Sequence, residues 1–254
     1  MMETLLSADE PPAYGLEHER GGSAFFIVCD HAGALIPRRL NGLGLSARDL
    51  ERHIAYDIGA AGVARRLADL LDACAVLQTY SRLVIDCNRP IGAPGSIAAI
   101  SESTRVPGNQ AVSAADAQRR EREVFRPYHD RIRELLDARA AGARPTLLVC
   151  MHSFTPVFLE KERPWHAAVL YNRDGRLARA LLRILRRDPA LTVGENEPYA
   201  VGDASDYAVP EYGEKRGIPH VEIEIRQDLI ADETGQREWA ERLAAALEES
   251  AESL

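Results

Sequence analysis

The residues that could do chemistry stand just after apolar runs. His31, preceded by Asp30, follows AFFIVC, and His152-Ser153 follows TLLVCM. The run RLVID (82–86) begins with Arg82 and leads into Cys87-Asn88-Arg89. The late run HVEIEI (220–225) carries Glu222 and Glu224 and ends at Arg226. Two neutral imidazoles and a carboxylate are a common ligand set of catalytic zinc, which keeps one position open for water. A neighbouring Glu can take the proton from that water while a metal polarises a carbonyl. Arginines match a substrate carboxylate with paired hydrogen bonds. The chemistry these residues spell together is metal-dependent hydrolysis.

Each of them also fits a structural role. A strand-end histidine commonly caps or packs in a core. Glu222 and Glu224 share one face of their strand, because strand side chains alternate, and one of them could be solvated or paired with an arginine. Arg82 and Arg89 could be ion-pair partners of Asp86. The spacing contains no H-E-x-x-H motif. Ser153 and Cys150 flank His152, but no G-x-S-x-G elbow supports a serine or cysteine nucleophile.

The elements that must position these groups follow from the apolar pattern. Residues 24–30 and 146–151 are short continuous runs of the kind buried on both faces of a sheet. Residues 75–79, 82–86, 166–172, 191–196 and 220–225 are further expected strands. Ile58, Val63, Leu67, Leu70 and Leu71 recur at helical spacing over 56–73, and helices are expected over 174–187, near 206–216 and over 235–252. Residues 113–140 read as a charged helix broken or kinked at Pro127. The stretch 90–108 is rich in Gly, Pro and Ser, and a long irregular segment of this kind usually binds or moves. Strands alternating with helices predict an α/β protein, a three-layer α/β/α sandwich on a largely parallel sheet. Ligands of such sheets sit at the carboxyl ends of the strands, where the residues above fall. One domain is expected over 23–254, preceded by an arm, 1–22, punctuated by Pro11, Pro12, Gly21 and Gly22.

Composition narrows the classes. The 254 residues carry a net charge of −8, which argues against broad nucleic-acid binding. Cys29, Cys74, Cys87 and Cys150 are scattered without C-x-x-C spacing, so buried, inert thiols in a reducing compartment are expected. No apolar run reaches the ~18 residues of a membrane span, and no signal-peptide pattern is present. A cytoplasmic protein with a small-molecule partner is expected.

The segments FIVCDHAGALIP, ERHIAYDIGA, YSRLVIDCNRP, the VPGN loop, LLVCMHSF and VEIEIRQDLI, in this order, resemble the N-formylglutamate amidohydrolase family. The resemblance spans roughly residues 24 to 230. It implies cleavage of the formamide of an N-formyl amino acid such as N-formyl-L-glutamate, giving formate and the free amino acid. A wider resemblance joins the zinc carboxypeptidases and related deacylases, and implies a mixed sheet in a three-layer sandwich. By that likeness His31 and His152 hold one zinc ion, Asn88 and Arg89 the substrate carboxylate, and Arg82 polarises the scissile carbonyl. Glu224, in EIRQD, is the general base. The carboxypeptidase pattern has a Glu three residues after the first His, where this chain has Ala34. The third ligand is therefore expected to be Asp57, with His53 as the other candidate, a site of only two protein ligands as a further alternative, and a plain helix cap as the alternative role of Asp57. Asp30 is expected to point away from His31. The 90–109 loop, with Ser101, Ser103, Thr104, Arg105 and Asn109, is expected to close over the substrate. Arg105 is the candidate for a second carboxylate, and Arg226 for orienting Glu224. Iron, cobalt or manganese also suit a His/His/carboxylate set. A deacylase or carboxypeptidase-like enzyme on another N-acyl amino acid or short peptide is the nearest alternative. A metal-free binding protein on the same scaffold is the alternative of another class.

Overall fold

The structure is a computed structural model that describes residues 4–254. The strands in chain order are β1 (Tyr14–Glu17), β2 (Phe25–Cys29), β3 (Cys74–Gln78), β4 (Ile100–Ser101), β5 (Thr104–Arg105) and β6 (Leu147–Phe154). They continue as β7 (Val157–Phe158), β8 (Lys161–Glu162), β9 (Ala167–Leu170), β10 (Val193–Glu195) and β11 (His220–Arg226). The α-helices are α1 (Ala47–Leu50), α2 (Ala60–Leu71), α3 (Ala114–Arg120), α4 (Arg126–Ala141), α5 (Arg176–Leu185) and α6 (Glu233–Ala251).

Seven strands form one mixed sheet in the order β1-β3-β2-β6-β11-β9-β10. The central run β3, β2, β6 and β11 is parallel throughout, so four carboxyl ends share one edge. The antiparallel pairs are β1 with β3 and β9 with β11. Alternation divides the strand side chains between two cores. Phe25, Ile27, Val149, Met151, Val221 and Ile223 face α2, α5 and α6. Phe26, Val28, Leu148 and Cys150 face the layer that contains α4, through Tyr128, Ile132 and Leu136. The α/β sandwich expected from the sequence is the architecture observed.

Four local differences separate the observed elements from the expected ones. Residues 82–86 are not a strand. The Ser81 hydroxyl accepts the Leu83 N–H (3.1 Å) and the Ser81 carbonyl accepts the Val84 N–H (2.9 Å), so these amides are spent on a turn rather than a ladder. The break expected at Pro127 is a π-helical segment, Glu121–Phe125, joining α3 to α4, because proline has no N–H to keep the α-register. The helix expected near 206–216 is likewise a π-helical turn, Val209–Glu214. Strand β6 runs on to Phe154, so His152 lies within it rather than after it. Of the expected arm, residues 1–3 lie outside the described residues, Leu5 is buried, and Tyr14–Glu17 forms β1 on the sheet edge. All four cysteines are buried and free.

Candidate active site

The parallel register of β11 on β6 sets Glu224 opposite His152 and Glu222 opposite Cys150. One strand over, β2 stops at Cys29 and the chain turns out through Asp30 and His31. The turn passes so close to β3 that a Cβ on Gly33 would sit 1.9 Å from the Thr79 carbonyl oxygen. It brings His31 under the 54–59 segment, whose Asp57 N–H bonds the His31 carbonyl (3.0 Å). Gly59, at φ +79, lets that segment turn into α2 where a Cβ would meet the Ile230 carbonyl at 2.1 Å.

Asp57 stands between the two histidines. Its Oδ2 lies 2.9 Å from His152 Nδ1 and 3.4 Å from His31 Nδ1. The Ser153 N–H also donates to it (3.2 Å). The far nitrogens face two other carboxylates. His31 Nε2 lies 2.7 Å from Asp86 Oδ1, and His152 Nε2 lies 3.5 Å from Asp30 Oδ2. Arg82 closes the group by donating to Asp86 Oδ2 (2.8 and 3.1 Å) and to Asp57 Oδ1 (3.4 Å). Asp30, His31, Asp57, Asp86 and His152 are all buried.

The charges respond to this crowding. Burial pushes Asp57 up, but His31 and His152 beside it hold its carboxyl well below the usual range. Asp86 is lowered in the same way, because Arg82 and His31 outweigh its burial. Both imidazoles are raised in spite of burial, His31 by Asp86 and Asp57, and His152 by Asp30 and Asp57. Burial pushes the carboxyls of Glu222 and Glu224 up to about 8, and the His152 charge opposes it in each case.

The donor set fits a divalent cation. His31, Asp57 and His152 each offer one ligand atom, and those atoms lie within 4.8 Å of one another. His31 Nδ1 is buried with no hydrogen-bond partner. If Nε2–H of each ring faces its own carboxylate, two Nδ1 lone pairs and a carboxylate oxygen point at one spot. Only protons or a cation can hold such a cluster together. A carboxylate behind a metal-binding imidazole is the usual way its tautomer and orientation are set.

A cavity of about 480 Å³ opens over this cluster. It is lined by His31, Asp57, Arg82, Asn88, Arg89, His152, Glu222 and Glu224. His53 lines it too, with Nε2 3.7 Å from Glu102. Residues 94–102 form one wall and Phe158, Tyr199 and Asp206 another. Arg89 makes no side-chain hydrogen bond or ion pair among the described residues and is available to an anion. Asn88 is partly committed. Its Oδ1 accepts the N–H groups of Tyr207 and Ala208, and its Nδ2 faces Asp206 (3.4 Å).

Arg105, Asn109 and Arg226 are not among the residues lining the cavity, and neither are Ser103 and Thr104 of the expected closing loop. Arg105 is exposed on β5, pointing to solvent because its hairpin presents that side outward. Asn109 is buried behind the wall, donating to the carbonyls of Leu83 and Ala98 and accepting from Arg120. Arg226 turns away to Asp228, at 2.8 and 3.2 Å. Sequence reasoning passed over Asp86 as a support for His31, although it opens the D-x-N-R segment, and Asp30 as one for His152. It also left Glu222 as a surface or paired residue, whereas it is buried and one carboxyl oxygen has no partner.

The family model for N-formylglutamate amidohydrolase matches residues 23–231. The solved structure of a gene product from Agrobacterium tumefaciens is 36% identical, with 98% of each chain covered and a TM-score of 0.95. An N-formylglutamate amidohydrolase from Ralstonia eutropha is 18% identical, covering 96% of this chain and 98% of that one. Its TM-score of 0.68 makes it a relative in fold. No curated protein matches this chain.

Proposed function

The chain belongs to the N-formylglutamate amidohydrolase family, and on that footing we propose that it is a metal-dependent hydrolase of N-formyl amino acids. As a member it is a hydrolase of a linear amide bond. The finer reading, that one divalent cation, zinc by preference, is held by His31, Asp57 and His152, rests on the convergence of their ligand atoms with Asp86 and Asp30 behind the two rings. When bound, the cation would polarise the amide carbonyl and make a water more acidic.

The protein's own groups do the rest. Glu224, opposite His152 on β11, takes the proton from the attacking water. It then passes that proton to the leaving nitrogen. The C–N bond breaks, and formate and the amine leave. Arg82 at the cavity wall stabilises the oxyanion, because fixed positive charge counts most where negative charge develops. Arg89, which makes no side-chain hydrogen bond or ion pair among the described residues, binds the amino-acid carboxylate, and Asn88 frames it while holding the 206–208 turn. The 94–102 wall shields the reaction from water.

N-formyl-L-glutamate is the first compound to assay. A second reading, another N-acyl amino acid, is favoured by one observation: Arg105, expected for a side-chain carboxylate, is exposed away from the cavity. The test is formate release by protein stripped with chelator and reloaded with zinc, alongside elemental analysis. Activity that tracks zinc supports the reading. Full turnover by metal-free protein would sink the metal's role, and a folded protein that neither binds metal nor turns over any N-acyl compound would favour a binding protein.

A further inference from the structure

One buried arginine beside the cavity has no task in the hydrolysis above. Arg163 directly follows the β7–β8 hairpin, and its N–H closes that hairpin on the Pro156 carbonyl (2.8 Å). The residue is 8% exposed. Its guanidinium carbon lies 4.7 Å from the centre of the Phe158 ring and 4.8 Å from that of Tyr199, and both of these residues line the cavity. Phe154 stands at 5.9 Å. Aromatic rings hold a guanidinium by its faces and leave the N–H edge for a partner in its plane. Among the described residues that partner is missing: Nη1 is buried without a hydrogen bond, and the side chain forms no ion pair.

A buried cation with an unmet donor is costly to the fold. The neighbouring arginines do not share this condition. Arg82 is bound to Asp86 and Asp57, and Arg52 to Glu102. The charge of Arg163 reaches the site itself. Burial is the main influence on the pKa values of Glu224 and His53, which both line the cavity, and Arg163 is among the charges acting on each. Tyr199, the outer ring of the clamp, is 43% exposed and belongs to no strand or helix. Moving it to open the N–H edge breaks no ladder of backbone bonds.

We propose that Arg163, clamped between Phe158 and Tyr199, is a specificity-determining residue that receives a carboxylate on the substrate's side chain, the role expected of Arg105. The assignment rests on the amidohydrolase reading and adds a second anion site to it. Arg89 takes the carboxylate next to the amide, and Arg163 the one at the end of the side chain. A guanidinium edge meets a carboxylate with two parallel N–H donors, whereas an uncharged amide offers it one oxygen and turns an NH2 toward the other donor. A buried donor left unpaired in this way discriminates strongly between the two.

The test compares N-formyl-L-glutamate with N-formyl-L-glutamine, which differ in that one group. Wild-type kcat/KM is expected to favour the glutamate compound by about tenfold or more. Arg163→Met keeps an apolar stem between the rings and removes the charge. It is expected to bring the ratio near one, through a rise of about 10–100-fold in KM for the glutamate compound alone. Arg163→Lys keeps the charge without the fork and is expected to restore part of the ratio; it also serves if the methionine variant does not fold. Equal wild-type rates, a preference for the glutamine compound, or a loss that strikes both compounds alike in a folded variant would overturn the proposal. Calorimetric dissociation constants for Glu224→Gln protein, with and without Arg163→Met, read the same preference without turnover. If the wild type hydrolyses neither compound, yet the glutamate compound binds more tightly and loses that advantage with Arg163, the hydrolase reading fails and the anion site stands. If turnover is sound and the ratio survives both Arg163 variants, the anion site fails on its own.

Discussion

Nδ1 of His152 lies 2.9 Å from Oδ2 of Asp57, although 95 residues separate them in the chain. That carboxylate also reaches His31, which makes Asp57 the hinge of the proposed metal site. Replacing it with alanine is expected to weaken zinc binding by about a hundredfold or more, since one of three protein ligands is lost. Competition with a chromogenic chelator measures this. Wild-type affinity in Asp57→Ala would return the third-ligand role to His53 or to none.

The carboxylates behind the rings give a second test. Asp86→Asn and Asp30→Asn keep the shapes but weaken the hold on His31 and His152. Zinc affinity should fall about 10–100-fold in each. An effect in Asp86→Asn alone would mean that the 3.5 Å approach of Asp30 does not orient His152.

Glu224→Gln separates binding from chemistry. Zinc content and KM are expected to stay near wild type, while kcat falls by about 10²–10⁴-fold, the usual contribution of a general base. Retained turnover would take Glu224 out of that role.

The metal-free protein should lose stability as pH rises from about 5 to 8. Burial holds the folded-state pKa of Glu222 and Glu224 near 8, above the unfolded 4.5. Each therefore favours the fold most below the unfolded value and less with every step toward 8, by on the order of 1 kcal/mol per pH unit. His31 and His152, also raised, lose their contribution in the same direction as they deprotonate. Thermal melts of chelated protein across this range check the sign. Glu222→Gln should flatten the slope, and a melting temperature that rose with pH would contradict the burial of these acids.

Asn109→Ala should act on the fold instead of the substrate. The side chain bonds two carbonyls and Arg120 from a buried position, so its loss should cost about 1–3 kcal/mol. Denaturant melts and Michaelis constants tell the roles apart. A large rise in KM at unchanged stability would restore it to the binding site.

Much of this protein was legible along the chain because the signals are local. Continuous apolar runs marked β2 and β6 and an alternating one marked β11, and the polar residues within or following them fell at the one sheet edge where parallel strands end. Period-two alternation placed Glu222 and Glu224 on one face. The family motifs, each a short contiguous string, identified His31, His152 and the D-x-N-R segment. What stayed hidden depends on pairs distant in sequence. That Asp57 is a bridge between two rings and not merely a helix cap is decided by the turn through Gly59 and by the packing of that turn against β2 and β6. That Arg105 and Arg226 face outward and Asn109 inward is decided by hairpin and wall geometry, which residue type does not carry. Ser81 spends the amides that 82–86 needed for a strand, a side-chain bond no apolar pattern reveals. Sequence alone determined the fold class, the sheet edge at which the candidate residues gather and the kinds of residue there. Tertiary structure decided which of them meet, because burial and direction are properties of the packed chain.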